Sequence, residues 1–323
     1  MTEGSVTPSL LEPPLLSRLK RHQRILIAGA GGGFDVYAGL PLFFALREAG
    51  AEVFLANLTF TYLGETNVRY IARHLAVVTV ETRGADRYFP ERRLAEWLAN
   101  EGAPSNVYAF EKVGVRPLRA AYAHLVKKLD LDAIVLVDGG TDILMRGDEA
   151  GLGTPEEDMT SLAAVSGLEG MDAFVTCIGF GVDAYHGVCH AQVLENIAAI
   201  EQAGGYLGAF AVTAAMPEGR AYLSAVRRAQ SLTSSRPSIV NGCIAAAIEG
   251  RFGDVRFTDR TAAGALFVNP LMSIYFGFEL PSVARRSLYL RFLEGTETIF
   301  DVGARIEAFR KTIEPRAPMA IPH

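Results

Sequence analysis

Residues 133–142, AIVLVDGGTD, run from an unbroken apolar stretch straight into two glycines and an aspartate. Two other stretches do the same: ILIAGAGGGFD at 25–35 and AFVTCIGFGVD at 173–183. Each closes on Gly-x-Asp, as Gly33-Phe34-Asp35, Gly140-Thr141-Asp142 and Gly181-Val182-Asp183. A short run of Ile, Val, Leu and Phe that stops at Gly and gives way to a helical pattern reads as a buried parallel strand entering a βα turn. Outward from these three, strand and helix patterns alternate. Strands are predicted at Glu52–Leu58, Leu75–Val80 and Tyr206–Val212, and helices at Leu40–Ala49, Arg92–Asn100, Arg116–Leu129, Gln192–Gln202, Pro217–Leu232 and Ser238–Glu249. Short strands are predicted at Val255–Phe257 and Leu266–Val268. The fold class is therefore α/β: a single doubly wound, Rossmann-like, mostly parallel sheet with helices on both faces and a helical C-terminus from Ser282 to Thr312. Residues 1–22 read as an N-terminal arm with one helical turn near Leu15–Lys20, and 23–323 as one α/β domain.

Composition narrows the function. Half of the 323 residues are apolar, enough for a large core, and the net charge is −5 with no Lys/Arg-rich block. Neither nucleic acid nor a membrane is expected as a partner: no basic patch stands out and no apolar run reaches the length of a span. The N-terminal residues lack the basic and continuous apolar regions of a secretory signal. Three cysteines without a CxxC pair fit a reducing compartment, so a cytoplasmic location is expected. A small-molecule substrate is the expected partner, and a homo-oligomer is left open.

In open α/β sheets, ligands sit outside the carboxyl ends of the strands. The Gly-Asp stops therefore bring several carboxylates to one rim. Gly29, Gly31, Gly32 and Gly33 let the backbone approach an anionic group, and Asp35 is placed to bind a hydroxyl or share a metal. A dinucleotide fingerprint needs Gly where this chain has Phe34, and an acid near the end of the second strand, where it has Ala56 and Asn57. The stretch 138–158 is the most polar. Asp138 and Asp142 are candidates for acid–base work or for a hard cation, Gly139, Gly140 and Thr141 for backbone contacts to a ligand, and Arg146 for clamping a carboxylate or phosphate. Asp148, Glu149 and the trio Glu156 to Asp158 read instead as surface or helix-cap residues, with Thr154 as cap and Pro155 in the first turn. In the third stretch, Asp183, His186 and His190 share a face if a helix begins near Asp183. They then form a catalytic set or, with Asp142, a site for Mg, Mn or Zn. Gly187 between the histidines weakens that helix. Cys189 lies on the same turn, and Arg236 with Ser234, Ser235 and Ser238 precedes a helix start.

The motifs GAGGGFDVYAGLPL, VDGGTDILMRGDEAGLGTPEEDM and GFGVDAYHGVCHAQVLENIAAI resemble the uncharacterised prokaryotic family catalogued as domain of unknown function 1152, from about residue 24 to about 310. The resemblance implies a single α/β domain and brings no chemistry. The signature Asp138-Gly139-Gly140 followed by Asp142 is similar, more distantly, to D-glutamate cyclase-like lyases. The expectation that follows is an enzyme on a small polar, anionic metabolite. It hydrolyses it or eliminates water, with Asp138, Asp142, Asp183, His186 and His190 as the catalytic set and Gly29 to Gly33 holding the anionic part. The alternatives are a nucleotide-dependent transferase or oxidoreductase using the Gly29–Gly33 loop, and a non-catalytic metabolite-binding subunit.

Overall fold

The computed structural model describes residues 9–84, 88–233, 236–255 and 266–321. Helix α1 (Pro14–Leu19) precedes β1 (Arg24–Gly29); α2 (Asp35–Ala38) and α3 (Leu40–Glu48) lead to β2 (Glu52–Leu58). A hairpin, β3 (Arg69–Ala72) with β4 (Leu75–Val78), is followed by α4 (Pro90–Asn100), β5 (Val107–Phe110) and α5 (Val115–Leu129). Then come β6 (Ala133–Asp138), α6 (Pro155–Ser166), β7 (Asp172–Cys177), α7 (His190–Gln202), β8 (Tyr206–Ala211), α8 (Pro217–Leu232) and α9 (Ile239–Ile248). The chain closes with β9 (Gly253–Asp254), β10 (Phe267–Val268), β11 (Ile274–Glu279), α10 (Leu280–Arg286) and α11 (Ile299–Arg310).

Nine of the strands form one sheet in the order β3-β4-β5-β2-β1-β6-β7-β11-β8, and β9 pairs with β10 apart from it. The five inner strands β5, β2, β1, β6 and β7 are parallel. Antiparallel pairs flank them: β4 and β3 on one side, β11 and β8 on the other. The chain winds outward from β1 through β2 to β5, then returns to β6 on the other side of β1. The crevice between the carboxyl ends of β1 and β6 is thus the topological switch point, where ligands of such sheets bind. The Gly-Asp stops of both strands open into it.

The sheet is buried on both faces because its strands are apolar at successive positions. Leu26, Ala28, Ile134 and Leu136 join a core with α5, α6, α10 and α11. Their neighbours Ile25, Ile27, Val135 and Val137 join a second core with α1, α3, α4 and α8. Helix α5 shows how the sequence dictates the packing. Its buried side chains Val115, Leu118, Ala121, Tyr122, Leu125 and Leu129 recur at helical spacing, and Tyr122 stacks 4.1 Å from Phe110 of β5. Among the described residues, no helix is long and apolar enough to cross a membrane.

Two features depart from the sequence reading, and two expected segments are only partly described. The N-terminal arm is not loose over its described part: α1 sinks Leu15 and Leu19 fully into the core. Leu15 packs on Gly277 of β11, where a β-carbon would lie 2.9 Å from its Cδ2. Strands β3, β5 and β11 carry too few residues, or too mixed a pattern, to stand out, yet β11 sits between β7 and β8. Of the expected strand Val255–Phe257, the last two residues lie outside the described residues, as do Ser234 and Ser235.

Candidate carboxylate site

Four segments deliver five aspartates to the switch point. Asp35 opens α2, Asp138 ends β6, Asp142 begins the 3-10 turn that follows, Asp158 stands in the first turns of α6, and Asp183 lies in the 3-10 turn after β7. Asp138, Asp142, Asp158 and Asp183 are buried, and Asp35 keeps partial exposure. Single carboxylate oxygens of Asp35, Asp138 and Asp158 lie within 4.8 Å of one another.

The glycines make this approach feasible. A β-carbon at Gly140 would fall 2.7 Å from Asp183 Oδ2, and one at Gly139 3.0 Å from Asp35 Oδ1. One at Gly31 would fall 2.7 Å from Asp35 Oδ2 and 2.8 Å from Asp158 Oδ1. In the first Gly loop, Gly32 and Gly33 have φ of +83° and +60°, which L side chains rarely adopt. Gly29 ends β1 against the side chain of Asn57.

Hydrogen bonds divide the five. Asp183 Oδ2 accepts from the Thr141 amide at 2.7 Å and from its hydroxyl at 3.4 Å, which ties the β7 loop to the β6 loop. Asp142 Oδ2 accepts from the Thr154 amide at 2.7 Å and its hydroxyl at 3.1 Å, fixing the start of α6. These two carboxylates hold the site's backbone. Asp35 accepts from the Gly31 amide at 2.8 Å, and Asp138 makes a longer contact, 3.3 Å, with the Ile143 amide. Asp158 Oδ1 is buried without a hydrogen-bond partner. Among the described residues, no Lys or Arg forms a salt bridge with any of the five.

Burial without counter-charge pushes each carboxyl toward its neutral form. Asp35 is raised to about 8, first by desolvation and then by the charge of Asp142, against the pull of the Gly31 and Gly139 amides. Asp138, Asp158 and Asp183 are raised well above the usual carboxylate range, first by burial and then by the charge of Asp142, and Asp142 is itself raised by burial. Five carboxylates this close cannot all be ionised unaided.

Several expected site residues take other roles. Asp158, read as a surface or cap residue, is the least solvated member of the cluster. Thr154 does stand at the N-cap, but its side chain binds Asp142 rather than capping α6. Glu149, also read as surface, is fully buried: it accepts from the Arg146 and Gly147 amides at 3.0 and 2.8 Å and from Asn196 Nδ2 at 2.6 Å. Arg146 pairs with Asp148 at 3.0 Å in that second network rather than with the aspartate cluster. The amides expected to hold a ligand's anionic group are instead partly taken by the protein's own carboxylates, Gly31 by Asp35 and Thr141 by Asp183.

His186 and His190 do not share a helix face. The 3-10 turn Val182–His186 stops at Gly187, whose φ is +84°, and α7 begins anew at His190. His186 is exposed. His190 is half-buried, its ring 5.4 Å from Phe180. Neither belongs to the group of oxygens that meet. Cys189 donates its thiol to the Met319 carbonyl, and Cys177 and Cys243 are buried thiols pushed up by desolvation. Ser238 caps α9 through the Asn241 amide at 3.1 Å.

Sequence comparison adds a family and no activity. The family model described as Protein of unknown function (DUF1152) matches residues 65–314, a stretch that contains Asp138, Asp142, Asp158 and Asp183 but begins after Asp35. No curated protein and no solved structure matches the chain.

Proposed function

The chain belongs to the family described as Protein of unknown function (DUF1152), and from the geometry of its rim we propose that it is a cytoplasmic enzyme which hydrolyses a small polar, anionic metabolite or eliminates water from it. The observation that carries this reading is the meeting of Asp35, Asp138 and Asp158 within 4.8 Å at the switch point, with no salt bridge from a Lys or Arg to any of them among the described residues. A structural role alone gives no reason to bring three carboxyls together, two of them buried, because each raises the cost of ionising the next.

Asp35, raised to about 8, exists in two states near neutral pH. The neutral form can donate a proton to a leaving hydroxyl, and the ionised form can accept one from water or bind a cation. Asp35, with residual exposure, is the member a substrate reaches first. Asp142 and Asp183 act as positioning residues through the Thr154 and Thr141 amides. The nucleotide alternative is less well supported, since the next-to-last residue of β2 is the buried Asn57, whose amide is committed to the Gly33 carbonyl and to Glu91. Three free cysteines, two of them buried, accord with the reducing compartment.

The test is to incubate the purified protein with a metabolite extract and to follow, by mass spectrometry, pairs of ions that differ by one water. At least one pair should shift with the wild type and stay put with Asp138→Asn. If wild type and Asp138→Asn leave every pair alike, the enzyme reading fails.

A further inference from the structure

We propose that Asp35, Asp138 and Asp158 form a binding site for one hard divalent cation of the Mg2+ or Mn2+ type. The inference deepens the proposed function, resting on the same rim, but its physical basis is independent of any turnover.

Two observations point to it. The first is the donor geometry: one oxygen from each of three carboxylates, all within 4.8 Å of one another. Oxygens bound to one Mg2+ stand about 3 Å apart when adjacent and about 4 Å when opposite, given metal–oxygen distances of about 2.1 Å. An ion therefore needs the three side chains to close by roughly an ångström, within the reach of a χ adjustment. The second is the unpartnered oxygen. Asp158 Oδ1 is buried, 1% of the residue being exposed, and it has no hydrogen-bond partner. A buried carboxylate oxygen left without a donor is costly, and in native proteins it marks something that belongs there. It faces Asp35 across Gly31: a β-carbon there would lie 2.8 Å from Asp158 Oδ1 and 2.7 Å from Asp35 Oδ2, so the two oxygens are near neighbours.

The donor set selects the ion. It contains oxygen only, with neither His186, His190 nor any cysteine in the group, which disfavours Zn2+ and favours hard cations. Three carboxylates leave roughly three positions of an octahedral shell for water or for substrate oxygens. That explains how so acidic a rim can receive an anionic metabolite: the cation bridges the two. It also explains the work of Asp142 and Asp183. They hold Thr154 and Thr141, and hence α6 and the β6 loop, in the places from which Asp158 and Asp138 reach inward.

The experiment titrates Mn2+ into chelator-treated, dialysed full-length protein, by calorimetry and by the electron paramagnetic resonance signal of free Mn2+, with Mg2+ as competitor. One Mn2+ per chain is expected at micromolar to submillimolar concentration, displaced by Mg2+. Asp158→Asn should weaken binding by roughly a hundredfold while His190→Ala leaves it unchanged. Failure of the wild type to bind Mn2+ at millimolar concentration overturns the site, whatever the variants do. So does binding that survives Asp158→Asn in a variant with native circular dichroism. Mn2+ binding without any water-shifted metabolite supports this site and defeats the enzymatic reading; turnover that persists in excess chelator, with no Mn2+ bound, does the reverse.

Discussion

Two acid-rich regions sit a few residues apart in one loop, and they are built on opposite principles. Around Glu149 and Asp148, each carboxylate has a guanidinium within 4 Å. Arg146 pairs with Asp148, Arg316 with Asp148 and Glu195, Arg310 holds the Gly147 and Glu149 carbonyls at 2.8 Å, and Arg286 reaches Asn196, which in turn donates to Glu149. Around Asp138 and Asp158, no arginine or lysine forms such a bridge among the described residues. The fold thus has guanidinium groups at hand and places them on the first cluster alone. Buried acid with a counter-charge is scaffold; buried acid without one is held at a cost that some other function must justify.

Substitution should separate the two regions sharply. Glu149→Ala strips three buried or half-buried donors of their acceptor, so a loss of about 4 kcal/mol in unfolding free energy is expected from urea denaturation. A loss below about 1 kcal/mol would mean that the arginine-rich network is no more structural than the aspartate rim.

Glu91 is an intermediate case, a buried acid with partial satisfaction. Asn57 Nδ2 donates to it at 2.7 Å while its other oxygen has no partner, and burial pushes its carboxyl from 4.5 up to about 7. Between those values the folded chain holds a proton that the unfolded chain has released. Its contribution is therefore complete below about pH 4.5, declines as pH rises, and is gone above about pH 7. The decline amounts to at most roughly 3 kcal/mol, and Asp35 adds a loss of the same sign that extends to higher pH. Glu91→Gln should make the stability–pH curve shallower over this window and leave a protein more stable than wild type near pH 8. Superimposable curves would show that Glu91 is ionised in the fold and belongs with the answered charges.

The smallest effect is expected at Asp158. Replacing it with Asn removes repulsion and breaks no hydrogen bond of its unpartnered oxygen, so the metal-free protein should gain about 1 kcal/mol near pH 8. A marked destabilisation would place Asp158 on the structural side of the comparison.

Much of this arrangement is legible in the chain. The Gly-Asp stops mark the ends of β1, β6 and β7, because a strand buried on both faces must be apolar throughout and the turn after it needs small residues. Asp35, Asp138, Asp142 and Asp183 follow directly from those stops. Asp158 does not: Thr-Pro-Glu-Glu-Asp is accounted for by capping and by the helix dipole. Only its phase, three and four residues before Ser161 and Leu162, turns it inward, and α6 is buried on so many sides that the phase is weak. The His186–His190 spacing suggests a shared face that Gly187 interrupts. Strand β11 is hidden because its place between β7 and β8 is decided by partners about 100 and 70 residues away, which no local pattern records.

That position of β11 has a consequence for how the molecule comes into being. During synthesis β7 emerges more than 90 residues before Ile274–Glu279, the segment that covers its outer edge, and β8 can dock only after that segment has arrived. The outer edge of β7 therefore stays open, with unpaired backbone amides and carbonyls, until Ile274–Glu279 is made. Leu15 packs onto Gly277, so residues far apart in the sequence close the sheet together.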